Sequence, residues 1–214
     1  MYSIPIALRE QYVALDGFEA KLKSWGWTLA NHRRIYTDPQ VIRQQWLLAA
    51  SGATYTDRAF YHLFGETRFR ALLREGLRAA MLTEETLQSL CPDEEQRVRY
   101  IAFLRDQEIL LFGKHGYRCG PALAGIQDIG HTLEWWVAEW LRRFHNRFDL
   151  FHVPVRHGVS LAEMSAAGDA GDLDVVALLP YGTIMIECKS SLLQIDPPTL
   201  SNFFWRSAFF EANA

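Results

Sequence analysis

The sequence predicts a mixed α/β (α+β) protein, with a mainly helical region over residues 1–120 and an αβββα unit over residues 121–214. Three observations carry this expectation. Large apolar residues recur three and four apart through most of the first 120 positions. The longest such stripe runs through "GIQDIGHTLEWWVAEWLRRFHNRF", Gly125 to Phe148. The period then becomes strand-like, in a hairpin "GDLDVVALLPYGTIMIECKS" from Gly171 to Ser190 that is almost continuously apolar.

Composition sets the outer bounds. A chain of 214 residues, 49% apolar and 22% charged, has the make-up of a soluble globular protein and can bury one large core or two small ones. No low-complexity tract or repeat interrupts it, and no apolar run reaches the ~18 residues of a membrane span, so no membrane partner is expected. The opening "MYSIPIALREQ" lacks the basic segment and apolar run of a secretory signal. Cys91, Cys119 and Cys188 are odd in number, far apart and form no CxxC pair, which argues against a disulfide framework or structural zinc and for a reducing, cytoplasmic location. Net charge is −3, distributed unevenly: residues 121–214 hold six cations against eleven acids, whereas residues 1–120 carry a net +2. An acidic half suits a cation and a more basic half suits phosphates, although two solvated surfaces account for the same numbers.

In the first region, "REQYVALDGFEAKLKSWGWTLA" and "DPQVIRQQWLLAAS" read as helices, the second starting at Asp38-Pro39. "DRAFYHLFGETRFRALLREGLRAAM" continues in the same style, with breaks at Gly65 and Gly76. A short helix follows, then a helix over Asp93–Asp106 and two strands, Ile109–Phe112 and Tyr117–Cys119, around Lys114-His115-Gly116. Over residues 82–122 this is the order of a winged-helix module, in which the helix ending near Arg105 approaches a major groove and Lys114 lies in the wing. A helical packing domain with one hairpin has the same order. Arg97, Arg99 and Arg105 are interleaved with acids, so no clean basic face results.

In the second region, Asp128 caps a helix whose apolar stripe is Ile129, Leu133, Trp136, Val137, Trp140, Leu141, Phe144 and Phe148, with Glu134 at its border. "LFHVPVRHGVS" reads as a strand in which Pro154 points to an edge or a bulge. A small-residue loop, "LAEMSAAGDAG", leads to the hairpin, and Pro197-Pro198 opens a last amphipathic helix.

The hairpin carries charges where apolar residues would be expected. Strand alternation puts Glu187 and Lys189 on one face, and Asp174, Val176 and Leu178 on one face of the preceding strand. A turn centred between Pro180 and Tyr181 sets Asp174 directly opposite Glu187; a loop of odd length does not. Opposed carboxylates repel unless a proton or a cation lies between them, and a hard divalent ion such as Mg²⁺ or Mn²⁺ answers that arrangement. Lys189 beside them can polarise a water or a phosphate oxygen. A purely structural alternative is a salt bridge at the sheet rim, Lys189 pairing with Glu187 or Asp174. Glu-x-Lys alone says little, since Glu19 to Lys21 repeats it in a helical segment. The case rests on the combination of hairpin, Asp, Glu-x-Lys and an upstream helix bearing Glu134.

"GHTLE" ending at Glu134, "DLDVV" with Asp174, and "IECKS" with Glu187 and Lys189 resemble, in order and spacing, the PD-(D/E)xK nuclease superfamily with its restriction-endonuclease-like fold. The likeness covers about residues 125–214, and no Pro precedes Asp174. The resemblance implies Mg²⁺ or Mn²⁺ held by Asp174, Glu187 and the Cys188 carbonyl, with Glu134 completing or modulating the site. It implies that Lys189 orients the attacking water, so that Asp174, Glu187 and Lys189 form the catalytic set. His131 reads as a capping-region residue or a phosphate contact. Lys114, Arg156, His157 and Arg206 are candidate contacts to nucleic-acid phosphates, with nothing in the sequence to select among them. Such cores usually have another strand after the final helix; either the sheet is smaller here, a partner chain or second copy supplies the strand, or the chain is part of a longer protein. The expected function is metal-dependent endonucleolytic hydrolysis of DNA, with the helical region helping to bind it. The alternatives are a non-catalytic DNA-binding or regulatory protein with a nuclease-like scaffold, and a ribonuclease.

Overall fold

The computed structural model describes residues 17–24, 27–32, 54–79, 81–120, 129–147, 154–163, 169–179 and 182–211. The expected helix start at Asp38-Pro39, the Asp128 cap and the Pro180–Tyr181 turn lie outside them. The chain forms two compact units, one within Tyr36–Thr132 and one drawn from Tyr2–Ile35 and Leu133–Ala214. Among the described residues no helix is long and apolar enough to cross a membrane.

The second unit is built on a four-stranded sheet. Strands β4 (Val155–Glu163), β5 (Asp169–Leu179) and β6 (Gly182–Ile186) form an antiparallel meander, and β1 (Trp27–His32) pairs antiparallel with β4 on its other side. The helical reading of residues 27–32 is therefore corrected. "WTLANH" carries an aromatic and a β-branched residue that suit a pleated surface, and the otherwise free edge of β4 decides the matter. Pro154 does not mark an edge either: β4 is an interior strand and Pro154 stands just ahead of its first residue, where no ladder N–H is needed. Its carbonyl accepts from Leu178 N at 3.0 Å.

Helices cover both faces of this sheet. Helix α1 (Phe18–Ser24) buries Phe18 and Leu22 with Val176 and Leu178, while helix α6 (Gly130–Arg147) buries Ala138 and Leu141 with Val155, Val175 and Ala177. Double coverage explains why β5 reads as a continuous apolar run. The buried line of α6 is rotated from the expected stripe: Glu134, Trp135, Ala138 and Leu141 are inside, whereas Trp140 and Phe144 are exposed and stacked at 5.3 Å. Helix α7 (Pro197–Glu211) lies against β5, its first turn capped by Asp196 Oδ1 accepting from Thr199 N at 2.9 Å. β1 and β6 are the two outer strands of the described sheet.

The first unit runs α2 (Thr54–Phe64), α3 (Thr67–Arg78), α4 (Glu84–Leu90), α5 (Glu94–Asp106), β2 (Leu110–Gly113) and β3 (Gly116–Cys119). Thr83 and Asp93 cap α4 and α5 by accepting from Thr86 N and Gln96 N. Leu82, between α3 and α4, bridges Tyr117 of β3, so a short extended segment joins the β2–β3 hairpin. Gly116 is required there: at φ 146° a Cβ would stand 2.2 Å from the Leu82 carbonyl oxygen. Phe60, Phe64, Phe69 and Tyr100 form the aromatic core, Phe69 and Tyr100 meeting edge-on at 5.2 Å.

Glu66, between α2 and α3, ties this unit together. Its carboxylate accepts from Tyr100 Oη at 2.6 Å, Arg99 Nη2 at 2.7 Å and Gln96 Nε2 at 3.1 Å, all on α5. Burial, then the Glu66 bond, pushes the Tyr100 phenol up to about 12. Glu66→Ala leaves a buried hydroxyl unsatisfied and is expected to cost about 2 kcal/mol in urea denaturation of the full chain, with Glu66→Gln costing less because it keeps an acceptor.

Candidate active site

The β5–β6 pairing carries the expected register: Leu179 faces Gly182, Val176 faces Met185 and Val175 faces Ile186. Asp174 and Glu187 are the next positions, opposite each other just beyond the last pair. β6 ends at Ile186, and the Cys188 amide that leaves the ladder is taken up by Asp174, whose Oδ2 accepts it at 2.6 Å. Across β4, Asp174 stands opposite Gly158, which adopts a left-handed φ of 54°. Side-chain alternation breaks at this point. Leu173 and Val159 join the cluster of Val176 and Leu178, although strict alternation would send Leu173 to the side of Val175. Asp174 thus occupies an irregularity shared by two strands, flanked by a residue with no side chain.

Glu187 is held through both oxygens. Lys189 Nζ donates to Oε1 at 2.5 Å and Arg206 Nη2, from α7, donates to Oε2 at 3.2 Å. The Lys189–Glu187 ion pair of the structural alternative is therefore present. Beside it, the charges of Glu134 and Glu187 still act on Asp174. Burial raises the Asp174 carboxyl to about 6; the Cys188 amide opposes this, Glu134 and Glu187 add to it, and Lys189 opposes it. Lys189 is penalised by burial, yet the Glu187 bond and the charges of Glu187 and Asp174 hold its pKa above the ordinary lysine value. Burial and then Asp174, Glu134 and Glu187 push the Cys188 thiol up, so it stays protonated, and its side chain packs against the α6 cluster. The backbone of Cys188 is what this residue offers the site.

The structure thus brings Asp174, Glu187, Cys188 and Lys189 together, with Glu134 close enough to act on Asp174 by charge. Glu134 is buried, at 7% exposure, rather than a solvated flank. Among the described residues no group of three His, Cys, Asp or Glu side chains is placed to hold a metal, and Glu134 acts on Asp174 through its charge. Asp174, Glu187 and the Cys188 carbonyl are hard oxygen donors, and the protonated thiol is not a competing soft ligand. That set fits Mg²⁺ or Mn²⁺, which bind through one or two carboxylates and keep several waters. The other candidates lie elsewhere or act differently. Arg156 is buried with its guanidinium 4.8 Å from the Phe18 ring centre, His157 is buried, and His131 is half-buried in the first turn of α6. Lys114 is exposed at the β2–β3 tip of the first unit. Sequence reading missed two features. Gly158 had a signal, since glycine inside a strand marks a bulge or close approach. The Arg206–Glu187 bond had none, because it depends on how α7 docks.

A carboxyl raised from 3.8 to about 6 binds its proton more tightly in the folded than in the unfolded chain. Its burial therefore costs stability that sets in as pH rises from about 4 through 6 and persists above. Asp174→Asn, which keeps an acceptor for the Cys188 amide, is expected to be about 1–2 kcal/mol more stable than wild type at neutral pH and equal to it near pH 4, as measured by urea denaturation at both. Compared with known proteins, the chain matches no family model, no curated protein and no solved structure.

Proposed function

We propose that the chain is a metal-dependent nuclease that hydrolyses phosphodiester bonds, with DNA as its main substrate and RNA as the alternative. The observation that carries this reading is the meeting of Asp174 and Glu187 beyond the end of the β5–β6 ladder, beside Lys189 and within the field of buried Glu134. Held by Asp174, Glu187 and the Cys188 carbonyl, Mg²⁺ or Mn²⁺ would supply Lewis acidity toward a phosphate oxygen and its bound water. Lys189 retains its proton at neutral pH, so Nζ serves as a donor to developing negative charge rather than as a base. Its bond to Glu187 fixes where that donor points. The order of elements in the first unit supports a role in binding nucleic acid, with Lys114 in the wing. Arg97 and Arg99 support it less, being engaged by Glu84 and Glu66. The outer edge of β6 is where a partner strand or second copy would extend the sheet.

A second reading has its own support. Glu187 neutralised by Lys189 and Arg206 is also how a non-catalytic scaffold would stabilise a former site. One experiment separates the two: nicking of plasmid and single-stranded DNA, and cleavage of RNA, in Mg²⁺, Mn²⁺ or EDTA. Nuclease action predicts metal-dependent cleavage that falls at least about 100-fold in Lys189→Ala and in Asp174→Asn. Cleavage that both variants retain excludes this site, and DNA binding without cleavage by the wild type selects the scaffold.

A further inference from the structure

We infer that Arg206 is a positioning residue that competes with a divalent cation for Glu187 and so sets the metal affinity of the site. This rests on the reading of Asp174 and Glu187 as metal ligands. Glu187 has two carboxylate oxygens and both accept from cationic side chains. A hard cation that takes Glu187 as a ligand competes with these bonds, since like charges gathered on one carboxylate repel. The two bonds are not equivalent. Lys189 donates at 2.5 Å from two positions along the same segment, whereas Arg206 donates at 3.2 Å from a separate helix. The longer bond is the weaker. Arg206 also has somewhere to go: its Nε donates to Asn202 O at 3.3 Å, one turn back on α7, so the guanidinium keeps an acceptor after losing Oε2. Among the described residues Lys189 has no second hydrogen bond of this kind, and its charge is further held by Asp174. Exchange therefore costs least at Oε2. The released guanidinium is a planar fork suited to phosphate oxygens, so metal and phosphate ester should bind with positive coupling.

The test is a titration of the full chain with Mn²⁺ alone, free ion being read by electron paramagnetic resonance. Arg206→Gln removes one competing charge and is expected to bind Mn²⁺ about ten-fold more tightly than wild type, with Arg206→Lys near wild type. Equal or weaker binding by Arg206→Gln, with Mn²⁺ uptake by the wild type intact, overturns the inference and leaves the nuclease reading standing. Uptake by neither protein overturns both. On the unaltered chain, modification of Arg206 by phenylglyoxal, mapped by mass spectrometry, should quicken when Mn²⁺ is added. An unchanged rate in a wild type that binds Mn²⁺ overturns the competition independently of any variant's folding.

Discussion

The register of β5 on β6 is the constraint on which the site depends. Val175 and Ala177 are buried under α6, and Val176 and Leu178 under α1, so both faces of β5 are committed. A slip of one residue would exchange these sets and carry Asp174 away from Glu187. The packing energy of an apolar core therefore fixes the separation of two acids that would not approach by themselves. The same coverage takes water from Asp174, which is why its carboxyl is raised to about 6.

Charge in this site is organised in layers. Asp174 is fixed through a backbone amide, Glu187 through two cationic side chains, and Glu134 acts from α6. The side chains come from a helix before the meander, the meander itself and the helix after it. A stretch of sequence that looks self-contained is thus completed by α6 and α7. Burying the Asp174 carboxylate costs stability above its raised pKa, so this arrangement is maintained by the packing around it.

The first unit balances its charges differently. Its arginines are mostly internal ties: Arg99 and Tyr100 converge on Glu66, and Arg97 bonds to Glu84 and to the Cys91 carbonyl. The acids interleaved with arginines in α5, which deny the helix a clean basic face, are accompanied by Glu66 and Glu84 from outside it as the arginines' structural partners. Val98, at 61% exposure on α5, and Phe112, at 71% on β2, add apolar rather than basic surface. Lys114 at the tip of the β2–β3 hairpin is left as an exposed cation.

By itself the sequence determined the elements whose signals are local. The caps at Thr83 and Asp93, the glycine at the tip of the β2–β3 hairpin, the doubly buried β5 and the parity that puts Asp174 opposite Glu187 all follow from the spacing of neighbouring residues. Tertiary structure decided what depends on distant partners. Residues 27–32 became a strand because β4 had an edge to fill, and the inner line of α6 followed the packing of Ala138 and Leu141 with Val155, Val175 and Ala177 rather than the widest apolar stripe. Leu173 changed sides where Gly158, fifteen positions earlier and next to its β4 partner Val159, breaks the pleat. Arg206 reached Glu187 through the docking of α7. Local chemistry selects conformations, but burial and pairing between distant segments select which side chains meet, and no period within one segment encodes that.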